Sequence, residues 1–362
     1  IHPYKGKHDN LKTLDERMLA NISVLNPGVK MPGACQPLSV VPPVYLEWYK
    51  KLFERGERIG PPTSLTAVVV LAPTIKRLSG SDHFLIEEIG VFDGPIVAYV
   101  GNNTLTTGSV YAGMHPVGRA GAGSVLAVTT ALNHPVLGRL QHGRLVLADV
   151  LRKTELSLSV AADEIMATAG RIYLRNGDLL QEVSLTELPT RIMAGVDVVG
   201  SVLGQATQLF EGVVVQNLLG AMYVGLLPES GKFYEVRVPE LDDYKVIDAK
   251  FERGILVVIA AKQGKYDRMV FRFDNGFQSY DMRRVEDIPL AAVNFTVLDS
   301  GIAALLNENE ELELFPQTPG SASIKVIPDP AIGGDCRLFS RGVQTMFARD
   351  NSLYKITMKK TP

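Results

Sequence analysis

The sequence predicts a mainly β protein: a β-propeller of about seven blades, with six as the second choice, behind a small α-helical N-terminal module. Two observations carry that expectation. Beyond Pro62 helical periodicity disappears, and short Val-, Ile- and Leu-rich runs follow one another with turn residues between them. The runs also repeat, because an aromatic or large apolar residue, a polar residue and a glycine lead again and again into a β-branched strand. The last four strong copies begin at Phe210, Phe251, Leu298 and Phe339, which lie 41, 47 and 41 residues apart. A period of about 40 to 50 residues built from short strands belongs to propeller blades, each of which buries its faces only against its neighbours.

Residues 1–62 read as the helical module. Thr13-Leu14-Asp15-Glu16 is a capping box, in which the hydroxyl and the carboxylate each satisfy a free backbone amide, and a helix from about Leu14 to Asn21 follows. A Pro- and Gly-rich loop runs from Asn26 to Pro43. From Val44 apolar residues recur at spacings of three and four through Phe53, opposite Glu47, Lys50, Lys51, Glu54 and Arg55, so an amphipathic helix is expected, stopped by Gly56. Its aromatic stripe, with the chain's single tryptophan, reads as core packing. This module carries nine basic and six acidic residues, so it is +3 and the remainder is −5.

Residues 63–362 read as the propeller. Strands are expected at Ala67–Leu71, Ile96–Val100, Leu145–Leu147, Leu156–Val160, Arg171–Leu174, Val213–Val215, Ile255–Ile259, Arg268–Phe273, Gly301–Leu306, Val343–Phe347 and Leu353–Met358. Earlier copies of the repeat sit at Phe92-Asp93-Gly94, His142-Gly143 and Ala169-Gly170, which brings the count to seven. The glycine of each copy reads as the tight turn between the first and second strands of a blade. Leu353–Met358 is expected to share a blade with Ala67–Leu71, removing two sheet edges at once.

Composition narrows the function. A net charge of −2, from 37 basic and 39 acidic residues, argues against nucleic acid as a partner. Cys35 and Cys336 make neither a disulfide framework nor a multi-cysteine metal site, which suits a reducing, cytoplasmic setting. No apolar run reaches the 18 or so residues of a membrane span. The chain opens on Ile1 without a signal segment, so a cut start is expected.

His2-Pro3-Tyr4-Lys5-Gly6 resembles the segment after the large central helix of the C-lobe in protein kinases. The helix Tyr45 to Glu54, followed by Gly56-Glu57-Arg58-Ile59-Gly60-Pro61-Pro62, is similar to the closing helix and basic tail of bacterial kinase-like domains. The β region resembles propellers of WD-repeat or kelch-like architecture. The first resemblance implies that residues 1–62 are the tail of a kinase-like C-lobe, with any choice between kinase and pseudokinase made upstream of Ile1. No His-Arg-Asp loop, Asp-Phe-Gly, glycine-rich phosphate loop or strand-lysine motif occurs, and Phe92-Asp93-Gly94 has those letters in another order. The chain is therefore expected to be non-catalytic itself, without cofactor.

Other polar groupings have ordinary structural readings. His2 and His8 lack the helical spacing that aims two imidazoles at one ion and read as turn and cap residues, while His115-Pro116 and His134-Pro135 read as loop entries. Ser81-Asp82-His83 has the residue types of a hydrolase triad, but consecutive side chains diverge, so it reads as a polar turn. Gly118 to Ser124 reads as a blade connection, and the acidic run Asn307 to Glu313 as a solvated hairpin. Asp93, Glu211, Glu252 and Asp299 hold corresponding repeat positions and can form a ring facing the channel.

The leading expectation is a docking platform for a protein partner, the propeller of a kinase-like regulatory protein, with loops Gly101–Thr107, Asn217–Ala221 and Lys262–Asp267 as its surface. The alternatives are an architectural subunit of a large viral or cellular assembly, and a propeller that binds a small ligand or ion at its channel mouth.

Overall fold

A computed structural model describes residues 2–32, 38, 41, 43–61 and 76–359. The chain divides into two units, Ile1–Thr74 and Ile75–Pro362. The boundary expected after residue 62, the strand expected at Ala67–Leu71, and Cys35 fall outside the described residues.

The first unit is built as its sequence signals suggest. The Thr13 hydroxyl accepts from the Glu16 amide and Glu16 Oε2 from the Thr13 amide, capping a helix at Leu14–Leu19. A second helix spans Pro43–Phe53. His8 Nδ1 accepts from the Asn10 and Leu11 amides, closing a turn beside the two-residue pairing of Lys7–His8 with Val29–Lys30. The Tyr4 hydroxyl donates to the Phe53 carbonyl at 2.9 Å, so the His2-Pro3-Tyr4 segment ties to the end of the second helix.

The second unit is a seven-bladed propeller. Six blades use consecutive antiparallel strands, and their first strands are Ile96–Val100, Val125–Val128, Glu164–Thr168, Thr207–Phe210, Lys245–Glu252 and Phe295–Val297. The seventh blade mixes the two ends of the unit. Cys336–Arg341, Gln344–Arg349 and Ser352–Met358 pair in series, and Phe84–Val91 adds beside Ser352–Met358. The last strand therefore does close the ring against an early strand, and that strand is Phe84–Val91.

Seven apolar clusters fill the seven interfaces between neighbouring blades. Between blades 4 and 5, Val213, Val224 and Leu226 meet Phe251, Leu256 and Phe271; across the closure, Phe92, Ile96 and Tyr111 of blade 1 meet Met346 and Leu353 of blade 7. Each buried side chain of this size contributes roughly 1.5–3 kcal/mol, and no blade has a core of its own. Among the described residues no helix is long and apolar enough to cross a membrane.

One strand expectation and two loop readings need correction. Leu156–Val160 is not one strand: Thr154–Glu155 and Val160–Ala161 pair separately with Arg144–Asp149, and Leu156 between them turns into the core. His115-Pro116 is not a loop entry but the start of the outer strand His115–Arg119, where an edge position spares proline the hydrogen bond it cannot donate. Asn307–Glu313 is not solvated throughout, because Glu313 is buried against Arg268 of the preceding blade.

Candidate functional site at the channel mouth

The turns between first and second strands gather around the axis of the propeller. In blade 5, Arg253 and Gly254 both have positive φ, 49° and 81°, the geometry of a two-residue hairpin whose twist matches its strands. In blade 4 the turn glycine is required twice over: Gly212 has φ +80°, and a Cβ there would lie 2.3 Å from the Phe251 carbonyl oxygen of the next blade. That close approach lets the Phe251 amide donate to the Glu211 carbonyl at 2.8 Å, joining blades 4 and 5.

These turns open on a cavity of ≈ 670 Å³, and Glu211, Glu252 and Asp299 line it. Asp93 does not. Its Phe-Asp-Gly string lies on the connection from Phe84–Val91 into the first strand of blade 1, not on the turn that follows a first strand. There Asp93 accepts from the Thr106 hydroxyl at 2.7 Å and from the Ser109 hydroxyl, which together hold its carboxyl below the usual range. The fourth member of the anticipated ring is thus a turn brace in blade 1.

Each of the other three carboxylates already has a cation from the chain. Lys250 Nζ lies 3.0 Å from Glu211 and 3.2 Å from Glu252, and donates to the Phe295 carbonyl at 2.9 Å. Burial lowers the lysine's pKa, and the two glutamates more than reverse this, so the ammonium is held above its ordinary range. Asp299 is in contact with Arg253, and Arg337 approaches Glu211 at 3.9 Å. Glu252 also accepts from the Thr296 hydroxyl and the Val297 amide, both at 3.1 Å, and the Asp299 amide donates to the Gly342 carbonyl at 2.9 Å. The Glu211 carboxylate therefore bridges blades 4 and 5, those of Glu252 and Asp299 bridge blades 5 and 6, and the Asp299 amide joins blade 6 to blade 7. Among the described residues no group of three or more His, Cys, Asp or Glu side chains is arranged to hold a metal ion.

Arg171 and Arg341 line the same cavity, and neither has an ion-pair partner among the described residues; the Arg171 guanidinium donates to the Pro228 carbonyl at 3.3 Å. With three carboxylates bound by Lys250 and Arg253, the surplus charge at this mouth is positive. A second cavity of ≈ 690 Å³ shares Glu211 and Lys250 with the first and is lined by Asp248, Glu308, Glu310 and Asp335. The two cavities differ in sign.

No protein-family model matches the chain, and no curated protein matches it. The chain is similar to several solved structures. Hsv2 of Kluyveromyces lactis is 12% identical, with a TM-score of 0.41 over 74% of this chain and 98% of that one. An oligogalacturonate lyase in complex with manganese is 11% identical, with a TM-score of 0.42 over 79% and 96%. The WD40 domain of SCAP from fission yeast is 9% identical, with a TM-score of 0.36 over 75% and 98%.

Polar clusters outside the mouth escaped sequence reading. His134 Nε2 lies 2.6 Å from Asp149 Oδ1, whose other oxygen accepts from Arg152 at 2.8 Å. Burial raises the Asp149 pKa, and the Arg152 amide and guanidinium with His134 outweigh it, leaving the carboxyl below its usual range. His134-Pro135 has no local pattern that announces a partner 15 residues on. The turns singled out as a partner surface also separate: Asn217–Ala221 and Lys262–Asp267 hold turns between second and third strands, whereas Gly101-Asn102 is a turn between first and second strands at the channel mouth, and Asn103–Thr106 is buried strand.

The brace role predicts a measurable result. Lys250→Met keeps most of the alkyl stem but leaves Glu211 and Glu252 facing each other, and should cost about 2–4 kcal/mol at pH 7. Like-charge repulsion raises the carboxyl pKa values in the folded variant, so its deficit shrinks as pH falls and they protonate. Urea unfolding at pH 7 and pH 5 checks this, and a deficit independent of pH would contradict it.

Proposed function

We propose that the chain is a non-catalytic interaction platform, whose propeller presents apolar-tipped turns to a partner protein. Leu219 carries the reading. It is fully exposed at the tip of Asn217–Ala221 and has φ 52°, a conformation that costs an L side chain about 1–2 kcal/mol and that asparagine or glycine would adopt more readily. A large exposed apolar side chain on a strained turn marks a contact surface better than a folding need. Leu203, half-exposed, lies near the same corner, its amide donating to Gln216 Oε1 at 2.9 Å. Residues 63–362 would then be the docking module. That it serves a kinase-like regulatory protein rests on the motifs at residues 2–6 and 45–62 alone.

A second reading is favoured by Arg171 and Arg341: the channel mouth takes a small anion, not a cation, since its carboxylates are neutralised from within.

Leu219→Gly tests the first reading without endangering the fold, because glycine relieves the turn. Affinity capture with the full chain should yield a partner bound stoichiometrically by the wild type and depleted about tenfold by the variant. A partner set unchanged by Leu219→Gly overturns the proposal.

A further inference from the structure

The outer edges of the blades carry a different surface. Six of the seven are blunted in the ways proteins use to stop strands from adding. Thr154–Glu155 with Val160–Ala161, Lys325–Ile327 and Arg77–Leu78 are two or three residues long, and Tyr234–Arg237 is four. His115–Arg119 contains a proline, and Tyr280–Ile288 holds five charges. Blade 3 ends in Ile192–Ser201, ten residues with one charge, Asp197, and no proline. It pairs with Leu179–Glu187 on one side, and among the described residues no backbone bond is made on the other. Met193 is 50% exposed and Val198 58%.

We propose that this edge pairs with the same edge of a second copy of the chain, antiparallel about a two-fold axis at Gly195, joining two four-stranded blades into one eight-stranded sheet. The register follows from the strand itself. A ladder irregularity where Leu180 meets Gly200 and Gln181 meets Val198 ends the regular run, leaving Ile192–Val198 straight, and the centre of that run is Gly195. An isologous antiparallel pair places one residue opposite itself, so Gly195 meets Gly195, Ala194 meets Val196, Met193 meets Asp197 and Ile192 meets Val198. Every straight position is then paired, and the two carboxylates are not opposed. A centre on Asp197 would oppose them and leave most of the run unpaired. The straight run Ile192–Val198 contains neither Leu203 nor Leu219, and either proposal stands if the other fails.

The pairing of Met193 with Asp197 gives a test on exposed residues. Sedimentation of the full chain over a concentration series should show a monomer passing to twice the chain mass. Met193→Asp places two like-charged pairs across the axis, and should weaken the dimer about tenfold. Adding Asp197→Lys to that variant makes both pairs opposite in charge and should restore it. A wild type that stays monomeric, one that forms the dimer equally well with Met193→Asp, or a double variant no better than the single overturns the proposal. Circular dichroism of each variant verifies that its fold is intact.

Discussion

Arg268→Ala should lower the free energy of unfolding by about 2–4 kcal/mol, because it strips a buried carboxylate of one of its two cations. Arg268 is 4% exposed on the third strand of blade 5, and its guanidinium donates to Glu313 Oε1 of blade 6 at 3.0 Å, with Glu308 at 3.2 Å. Arg283 is the other cation on Glu313 and lies over the Phe315 ring. Burial pushes the Glu313 pKa up, and Arg268 and Arg283 more than reverse that, so it sits below the usual carboxylate range. A folded-state pKa below the unfolded value gives stability that is present above the unfolded pKa, about 4.3, and is lost as pH falls through the folded one. The loss caused by Arg268→Ala is thus largest near neutral pH and smaller in acid. Replacing Arg268 and Glu313 with methionine should cost less than Arg268→Ala alone, since Glu308 loses its cation in both variants but Glu313 is no longer buried with its charge undercompensated. Urea melts of the three proteins at pH 7 and pH 4 decide it, and a change under about 0.5 kcal/mol for Arg268→Ala would refute the role, being the size of an ordinary surface exchange.

Asp329→Ala should open the ring at its closure, at about 2–4 kcal/mol. Asp329 Oδ2 accepts from the Ser81 hydroxyl at 2.8 Å and from the Asp82 and His83 amides at 3.1 and 2.9 Å, while Oδ1 accepts from the Ala331 amide at 3.0 Å. Those contacts span nearly 250 residues and fix the entry to Phe84–Val91, the strand on which closure depends. Burial raises the Asp329 pKa, and the His83 and Ala331 amides with the Ser81 hydroxyl outweigh it, so the carboxyl is held low and the latch weakens only in acid. Hydrogen exchange gives the site-resolved check. The amides of Asp82 and His83 should lose protection in Asp329→Ala well before those of Val213–Leu218 in blade 4, and unchanged protection at residues 82 and 83 would refute the latch.

The same contacts show how far the sequence could be read. Ser81-Asp82-His83 read as a polar turn, and it is one, but the turn is held by a carboxylate no spacing connects to it. The repeat led to seven blades partly through compensating errors. Phe92-Asp93-Gly94 and His142-Gly143 stand at other turns, the first on a blade connection and the second between second and third strands, while blades 1 and 2 make their first turns at Gly101-Asn102 and from Thr129 to His134. A residue before glycine favours any two-residue hairpin, so the signal marks turns without saying which. Asp93 shares this turn pattern with Glu211, Glu252 and Asp299, and only the last three line one cavity.

By itself the sequence determined the all-β class, the short strands, the two helices with the first one's cap, and a blade-sized period, because these depend on neighbours within a few residues or on a regular repeat. Only the tertiary structure decided which early strand closes the ring, which carboxylates meet Lys250, and that Arg268 and Glu313 bury together. The pairings of Lys250 with Glu211 and of Arg268 with Glu313 join different blades about 40 residues apart, and the closing strands come from opposite ends of the second unit. Local patterning sets which face of a strand is buried, but the opposing blade supplies the partner, and the opposing charge decides whether a polar group there is stable.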